Sequence, residues 1–166
     1  MEPNFSPNER LMAWRIEETD LARGDVVIVR SDRGEDYIMR LVALPGDTVQ
    51  MVEGQIVLND TLIEQQPAGR HSWTETNPVT KEERKREAAL FHERLPESGA
   101  AYSVIDTGST AGDNTSKVTL GEGEFFMLGD NRDHSADSRY SPIQRRLGIV
   151  RGEQITRRID LDSIIR

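Results

Sequence analysis

The chain has 166 residues, no cysteine and a formal net charge of −8. This length is typical of one domain, or of one domain with a substantial insertion, and it is long enough to bury an adequate core. The acidic balance makes binding to nucleic-acid phosphates unfavourable, and the lack of cysteine excludes a disulfide framework and a cysteine metal site. No apolar run approaches the ~20 residues that span a bilayer, and no signal peptide is visible.

Short apolar segments separated by turn residues predict strands in the first part of the chain. We expect strands over residues 11–16, 25–30, 37–44, 48–52, 55–58 and 61–63. Glu53-Gly54 predicts a tight hairpin between the fourth and fifth of them. Side chains alternate across a strand. One face of the third strand should therefore carry Tyr37, Met39, Leu41 and Ala43, and the other Ile38, Arg40, Val42 and Leu44.

The composition changes at residue 64 and stays polar to residue 117. We interpret 64–117 as an insertion into a core domain made of residues 1–63 and 118–166. Thr80 and Glu83 have the spacing of a capping box, which predicts a helix over 81–93. That segment is polar nearly all round, so the helix should lie on the surface.

Apolar periodicity returns at 118–120 and 124–128, and residues 148–150 and 155–159 predict closing strands. Many short strands separated by turns indicate a mainly β fold with antiparallel sheets.

The strand at 124–128 leads directly into Gly-Asp-Asn-Arg-Asp-His-Ser-Ala-Asp-Ser-Arg-Tyr at 129–140. Three interpretations compete for this loop. It could be a solvated loop whose charges merely pair. A calcium loop is excluded, because such a loop needs glycine where Ser138 stands. The third is a catalytic loop in which hydroxyls and an Asp–Arg pair support chemistry located elsewhere.

Residues 129–139 resemble the signature of bacterial type I signal peptidases, Gly-Asp-Asn-Arg-Asp-x-Ser-x-Asp-Ser-Arg. Residues 36–47, Asp-Tyr-Ile-Met-Arg-Leu-Val-Ala-Leu-Pro-Gly-Asp, are similar to the family's Tyr-Ile-Lys-Arg-Val-x-Gly-Leu-Pro-Gly-Asp segment. Arg-Gly-Asp-Val-Val at 23–27 resembles its Arg-Gly-Asp-Ile-Val block, and Met-Glu-Pro at 1–3 resembles the residues after its catalytic serine. The likeness implies a coiled antiparallel β-sheet catalytic core with a variable, β-rich insertion.

The resemblance implies a serine endopeptidase that cleaves signal peptides from secreted preproteins with a serine nucleophile and a lysine base, without a cofactor. Burial lowers the pKa of such a lysine, so that its neutral amine can take the serine proton. The sequence departs from this pattern twice. The serine position would precede Met1, and Met39 occupies the lysine position. A thioether has no proton-accepting nitrogen, so we predict that the chain as it stands is inactive.

Two replacements for the missing groups do not fit. Ser6 is the nearest hydroxyl to the chain start, but its offset does not match the nucleophile position. Arg40 cannot be the base, because a guanidinium stays protonated. Met39 is either an engineered substitution or a feature of a natural paralogue, and the sequence does not separate these two origins.

The likeness assigns Ser135 as the hydroxyl that orients the lysine, and Asp137 and Arg139 as a structural ion pair beneath the site. The remaining matched positions are Asp130, Asn131 and Arg132 in the supporting loop and Met1, Pro3, Tyr37 and Ile38 near the substrate. Simpler roles are open for some of them: a turn hydroxyl for Ser135, an exposed pair for Asp137 and Arg139, and ordinary core or sheet packing for Tyr37 and Ile38.

The expected partners are signal peptides of preproteins or other extended peptides, with no nucleic acid. The family carries a membrane anchor just before its serine, so we expect a fragment from the extracytoplasmic, periplasmic face of the bacterial inner membrane. A pseudoenzyme that binds extended peptides or assists assembly is the first alternative. A self-cleaving SOS-type repressor is the second, and the acidic charge opposes it. The chain's three histidines lack a ligand pattern, so no metal site is proposed.

Overall fold

A computed structural model of the chain describes residues 1–5, 9–77, 79–97, 101–141 and 146–161. In chain order its strands are β1 (Ala13–Trp14), β2 (Val26–Arg30), β3 (Asp36–Ala43), β4 (Thr48–Val52), β5 (Gln55–Leu58), β6 (Thr61–Leu62), β7 (Gln65–Thr76), β8 (Glu83–Arg94), β9 (Ala101–Asp106), β10 (Val118–Thr119), β11 (Glu124–Leu128), β12 (Val150–Arg151) and β13 (Ile155–Ile159). Single 3₁₀ turns occur at Glu18–Asp20, Ala111–Asp113, Arg132–His134 and Gly152–Gln154. The described part of the chain contains no helix that could cross a membrane.

The strands form three sheets. The largest has the order β1-β13-β2-β3-β11-β12, the second has the order β10-β4-β5-β6, and the third has the order β7-β8-β9. All pairs of named strands in these sheets are antiparallel. The expectation of a mainly β fold with antiparallel sheets is confirmed.

The predicted alternation of β3 is correct up to Val42 and wrong for the two residues after it. Met39 and Leu41 lie in one buried cluster and Val42 lies in another, as expected. Ala43 joins the cluster of Val42, and Leu44 packs against that of Met39. The reason is a bulge against β11: Phe126 pairs with Ala43 but Met127 pairs with Leu41, so β3 carries one extra residue there.

The predicted helix over 81–93 is wrong, because this segment is the extended strand β8. β8 pairs with β7 from Glu83 to Glu93 and with β9 from Ala89 to Arg94. The chain reverses before it at Asn77, whose side-chain oxygen accepts hydrogen bonds from the backbone N–H groups of Val79 and Thr80. Asparagine commonly makes such turns, and pairing with two neighbouring strands outweighs the local helical pattern.

The segment 64–117 shares a core with the rest of the chain. Leu95, Tyr102 and Val104 belong to the same buried cluster as Met51 on β4 and Phe126 on β11. A single isolated bridge also joins β9 to the loop after β11, between Ile105 and Asn131. The insertion boundaries at 64 and 117 stay a prediction.

Candidate functional site

Two distant parts of the sequence meet at Met39. This residue lies on β3, pairs with Val27 on β2 and is 4% exposed. Ser135 follows the 3₁₀ turn of the loop after β11, and its Oγ lies 3.8 Å from the Sδ of Met39. The close approach requires glycine at the start of the loop, because a Cβ on Gly129 would collide with the Ser135 hydroxyl. The hydroxyl matched to the supporting role therefore contacts the position matched to the base.

The loop that carries Ser135 is held by a buried ion pair. Arg139 Nε donates to Asp137 Oδ1 at 2.9 Å, and the two side chains are 1% and 0% exposed. Asp137 also accepts from the backbone N–H of Gly129 at 3.1 Å, and Arg139 donates to the carbonyl of Arg132. Because these contacts join the start of the loop to its end, they fix the position from which Ser135 reaches Met39.

A second buried ion pair connects the site to the N-terminal segment. Arg40 donates two hydrogen bonds of 2.8 Å to Asp130, and its guanidinium lies 4.1 Å from the ring centre of Tyr102. Asn4 donates to Asp130 at 2.7 Å and also to the carbonyl of Ser103 at 2.7 Å. Burial opposes the charge of Arg40, but the adjacent Asp130 outweighs it and the pKa of Arg40 is raised. β3, the loop and residues 1–5 are thus tied together at Asp130.

A third buried pair lies on the other side of the loop. Arg132 donates to Glu93 on β8, and the two side chains are 4% and 0% exposed. Glu93 also accepts from Tyr102 at 2.8 Å and from Gln65 at 2.7 Å. Burial alone would raise the pKa of Glu93, but the Arg132 charge and these hydrogen bonds outweigh it and hold that pKa below its usual value.

Sequence reasoning missed the Glu93 contact, because it placed Glu93 on a surface helix. The loop motif did select Arg132, but nothing local to residue 132 indicates a partner on β8. β8 carries many charged side chains and most of them are exposed, so the sequence gives no signal that Glu93 is the buried one.

The N-terminal half of β3 has a free edge next to Met39. β2 pairs with β3 from Asp36 to Arg40, whereas β11 pairs with β3 only from Arg40 onward. The N–H and C=O of Leu41 bond to Asp25 and Gly24 on the β2 side. Backbone groups of successive residues point to opposite sides of a strand, so those of Ile38 point to the edge away from β2. Among the described strands, none covers this edge at Ile38.

A cavity of about 570 Å³ opens beside Ile38. Its lining comes from four separate segments and consists of Met1, Glu2, Phe5, Glu9, Leu11, Ile38, Trp73, Thr74, Glu75, Thr76, Asn131 and His134. Ile38 itself is 36% exposed. A larger cavity of about 890 Å³ is lined by neither Ile38 nor residues of 131–139, so the smaller one is the candidate cleft.

Not every residue matched to the substrate side lines this cleft. Met1 and Ile38 do, but Tyr37 packs against the cluster of Met39 and donates its hydroxyl to Glu35 at 2.9 Å. Pro3 is also outside the lining. Ser6 lies outside the described residues. Across the part of the chain that is described, no group of three or more His, Asp or Glu side chains is arranged to hold a metal ion.

The fold and the site define a mainly β protein in which a serine-bearing loop contacts one buried strand position beside an open, peptide-sized cleft. The family described as "Signal peptidase, peptidase S26" has a model that matches residues 1–162. The chain therefore belongs to the signal peptidase S26 family.

Individual relatives agree with this assignment. The chain is 35% identical over 137 residues to signal peptidase I of Rickettsia canadensis (strain McKiel), which covers 78% of the chain and 48% of that protein. It is 37% identical over 138 residues to signal peptidase I of Rickettsia bellii (strain OSU 85-389), which covers 78% and 44%. The chain thus spans about half the length of the curated relatives it matches.

A solved structure is also similar. It is a crystal structure of a signal peptidase I from Enterococcus faecalis V583, with a TM-score of 0.43 and 21% sequence identity, and the match covers 82% of this chain and 93% of that one.

Proposed function

We propose that the chain is the catalytic-type domain of a signal peptidase I relative, which binds extended peptides such as signal peptides but does not cleave them while Met39 occupies the base position. The observation that carries the proposal is the 3.8 Å contact between Ser135 Oγ and Met39 Sδ. The residues next to them in sequence, Ile38 and His134, line an open cleft. The relatives are named signal peptidase I, which supports preprotein signal peptides as the peptides bound.

The loss of cleavage follows from the chemistry of position 39. A serine nucleophile needs a base that can take its proton, and a thioether cannot do so. A lysine at this position would lie among Leu41, Phe125 and Met127, which bury Met39. That apolar setting would favour its neutral amine, and Ser135 Oγ would be close enough to hydrogen-bond it. The surroundings therefore suit a lysine base, but the side chain present is not one.

Peptide binding does not depend on that base. The free edge of β3 at Ile38 offers one N–H and one C=O to an extended chain, which is how a peptide adds to a sheet as an extra strand. Backbone hydrogen bonds would then supply affinity, and alternate side chains of the peptide would face the cleft. The family resemblance supports small side chains at the peptide positions next to Ile38.

The location is part of the proposal. The proposed location is the extracytoplasmic face of the bacterial inner membrane, and the family resemblance supports it. Whether Met39 is engineered or natural does not alter the binding surface. If it is natural, the protein is a pseudoenzyme that acts by holding peptides or by assisting assembly.

Restoring the base tests the proposal. We would use a protein that carries the serine before Met1 and its upstream anchor. Cleavage of a preprotein would be measured for three forms of it: the original with Met39, the Met39→Lys variant and the Met39→Leu variant. We expect cleavage only with Met39→Lys, because loss of a catalytic base typically removes roughly 10⁴–10⁶-fold in turnover. Cleavage by the Met39 protein would contradict the proposed loss. A folded but inactive Met39→Lys variant would show that position 39 alone does not account for it.

A further inference from the structure

We propose that Trp73, on the β7–β8 hairpin, is a specificity-determining residue of the cleft and contacts a large apolar side chain of the bound peptide. This inference rests on the proposed function, because it assumes that an extended peptide occupies the cavity beside Ile38. It adds a contact surface that the motifs of the site do not contain, since residues 65–94 match none of them.

The hairpin forms one wall of the cavity. Residues 73–76 of β7 line it together with Ile38 of β3 and His134 of the loop. β7 is the outer strand of its sheet, with β8 on its other side. Its outer edge is therefore available to a further strand, as the edge of β3 is at Ile38.

The ring of Trp73 is presented in a fixed position. It is half-buried, and it stacks on His71 with 5.9 Å between ring centres and 21° between planes. His71 and Trp73 are two positions apart on β7. Side chains alternate across a strand, so both lie on the same face. An ion pair between Glu75 and Arg86, at 2.8 Å, links β7 to β8 next to the ring. An aromatic ring held in this way supplies contact area at little cost in conformational entropy.

The composition and size of the cavity indicate what the ring would contact. Five of its lining side chains are apolar: Met1, Phe5, Leu11, Ile38 and Trp73. Its volume of about 570 Å³ exceeds what the side chains of small residues alone would fill. Signal peptides carry an apolar run of roughly 7–15 residues before their small-residue cleavage site. A peptide whose small residues lie at Ile38 can therefore place a leucine from that run against Trp73.

Tryptophan fluorescence reports directly on this contact, because the chain has only two tryptophans. Trp14 is 61% exposed on β1 and does not line the cavity, so Trp14→Phe leaves Trp73 as the single emitter without changing the cleft. We would titrate this variant with two peptides that share an Ala-x-Ala segment. One has leucines before that segment, and the other has serines in their place. We expect a blue shift with the leucine peptide, because its side chains would exclude water from the ring.

Affinities of the Trp73→Ala variant complete the test. We expect it to bind the leucine peptide about tenfold more weakly than the original chain does, and to bind the serine peptide equally well. Trp73→Phe should recover most of the loss, and Trp14→Phe should bind both peptides as the original chain does.

Two failures can be told apart. Amide shifts at Ile38 with the leucine peptide, but no blue shift and no effect of Trp73→Ala, would overturn the role of Trp73 and leave the proposed function standing. If neither peptide binds, the proposed function itself fails. A loss of affinity of equal size for both peptides would also contradict the inference, since it would show that Trp73 does not select the leucines.

Discussion

The hydroxyl of Ser135 lies 3.8 Å from the sulfur of Met39, although 96 residues separate the two in sequence. An unbranched methionine fills nearly the space of a lysine stem, so we expect the surrounding loop and strand to keep this arrangement around a lysine. The contact joins the two motifs that resemble the signal peptidase signature. The difference that we propose between this chain and the signature is therefore the chemistry at position 39.

Replacing Met39 by lysine should make stability depend on pH. The surroundings of position 39 are apolar, so the folded-state pKa of the lysine should lie below its unfolded value of about 10.4. The unfolded chain then binds more protons between the two values, and the stability of the variant rises with pH in that range. We expect Met39→Lys to be less stable than the original chain at pH 7, by about 1.4 kcal/mol for each unit that burial lowers the pKa, and closer to it at pH 9.5.

Urea denaturation at the two pH values measures this effect. Met39→Leu is the matched control, because it changes the packing without adding a titrating group. A Met39→Lys variant with the same deficit at pH 7 and pH 9.5 would show that the lysine is not desolvated, and that the site does not favour a neutral amine.

Removing Arg139 should destabilise the fold strongly. Its partner Asp137 is fully buried, and deletion of the guanidinium leaves that carboxylate without its counter-charge. We expect Arg139→Ala to cost about 3–5 kcal/mol in the free energy of unfolding. Arg30→Ala is the control, since Arg30 pairs with Asp36 on an exposed surface and should lose far less. Equal losses in urea denaturation would mean that the buried pair does not support the loop.

Because of the Glu93–Arg132 pair, we expect the free energy of unfolding to decrease at acidic pH. The folded-state pKa of Glu93 lies below its usual value. The stabilisation that the ionised carboxylate contributes is therefore complete above the unfolded-state pKa of about 4.3, and it is lost as the pH falls through the folded-state pKa. Glu93→Gln should be less stable than the original chain at pH 7, by on the order of 3 kcal/mol. This difference should shrink as the pH is lowered from 6 to 3.

Thermal or urea denaturation across that pH range tests the pair. Glu87→Gln controls for the loss of an exposed carboxylate, because Glu87 pairs with Arg70 at the surface of the hairpin. A difference between Glu93→Gln and the original chain that stays constant with pH would contradict the lowered pKa of Glu93.

The sequence predicts the core strands well where the local pattern and the tertiary environment agree. The run of valines and isoleucine at 26–29 and the apolar run at 125–128 are strands as expected, because buried sheet positions favour these residues. Glu53-Gly54 forms the predicted tight turn, and both residues have positive φ. The family motifs alone also select Ser135, Asp137 and Arg139.

The failures share one physical cause, which is contact between distant segments. The polar pattern of 81–93 suits a surface helix, but pairing with β7 and β9 makes it a strand. The bulge that moves Ala43 to the other face depends on the register with β11, which β3 alone does not reveal. The partners Glu93 for Arg132 and Asn4 for Asp130 are likewise set by the fold. Trp73 reaches the cleft for the same reason.

Amide-shift mapping with an Ala-x-Ala peptide tests most directly the central claim, which is that the chain retains a peptide cleft despite its lost chemistry. We predict shifts at residues 37–41 of β3 and around Ser135, since the peptide would add to the free edge at Ile38 beside the loop. An absence of shifts at millimolar peptide, or shifts confined to residues 64–117, would contradict the account.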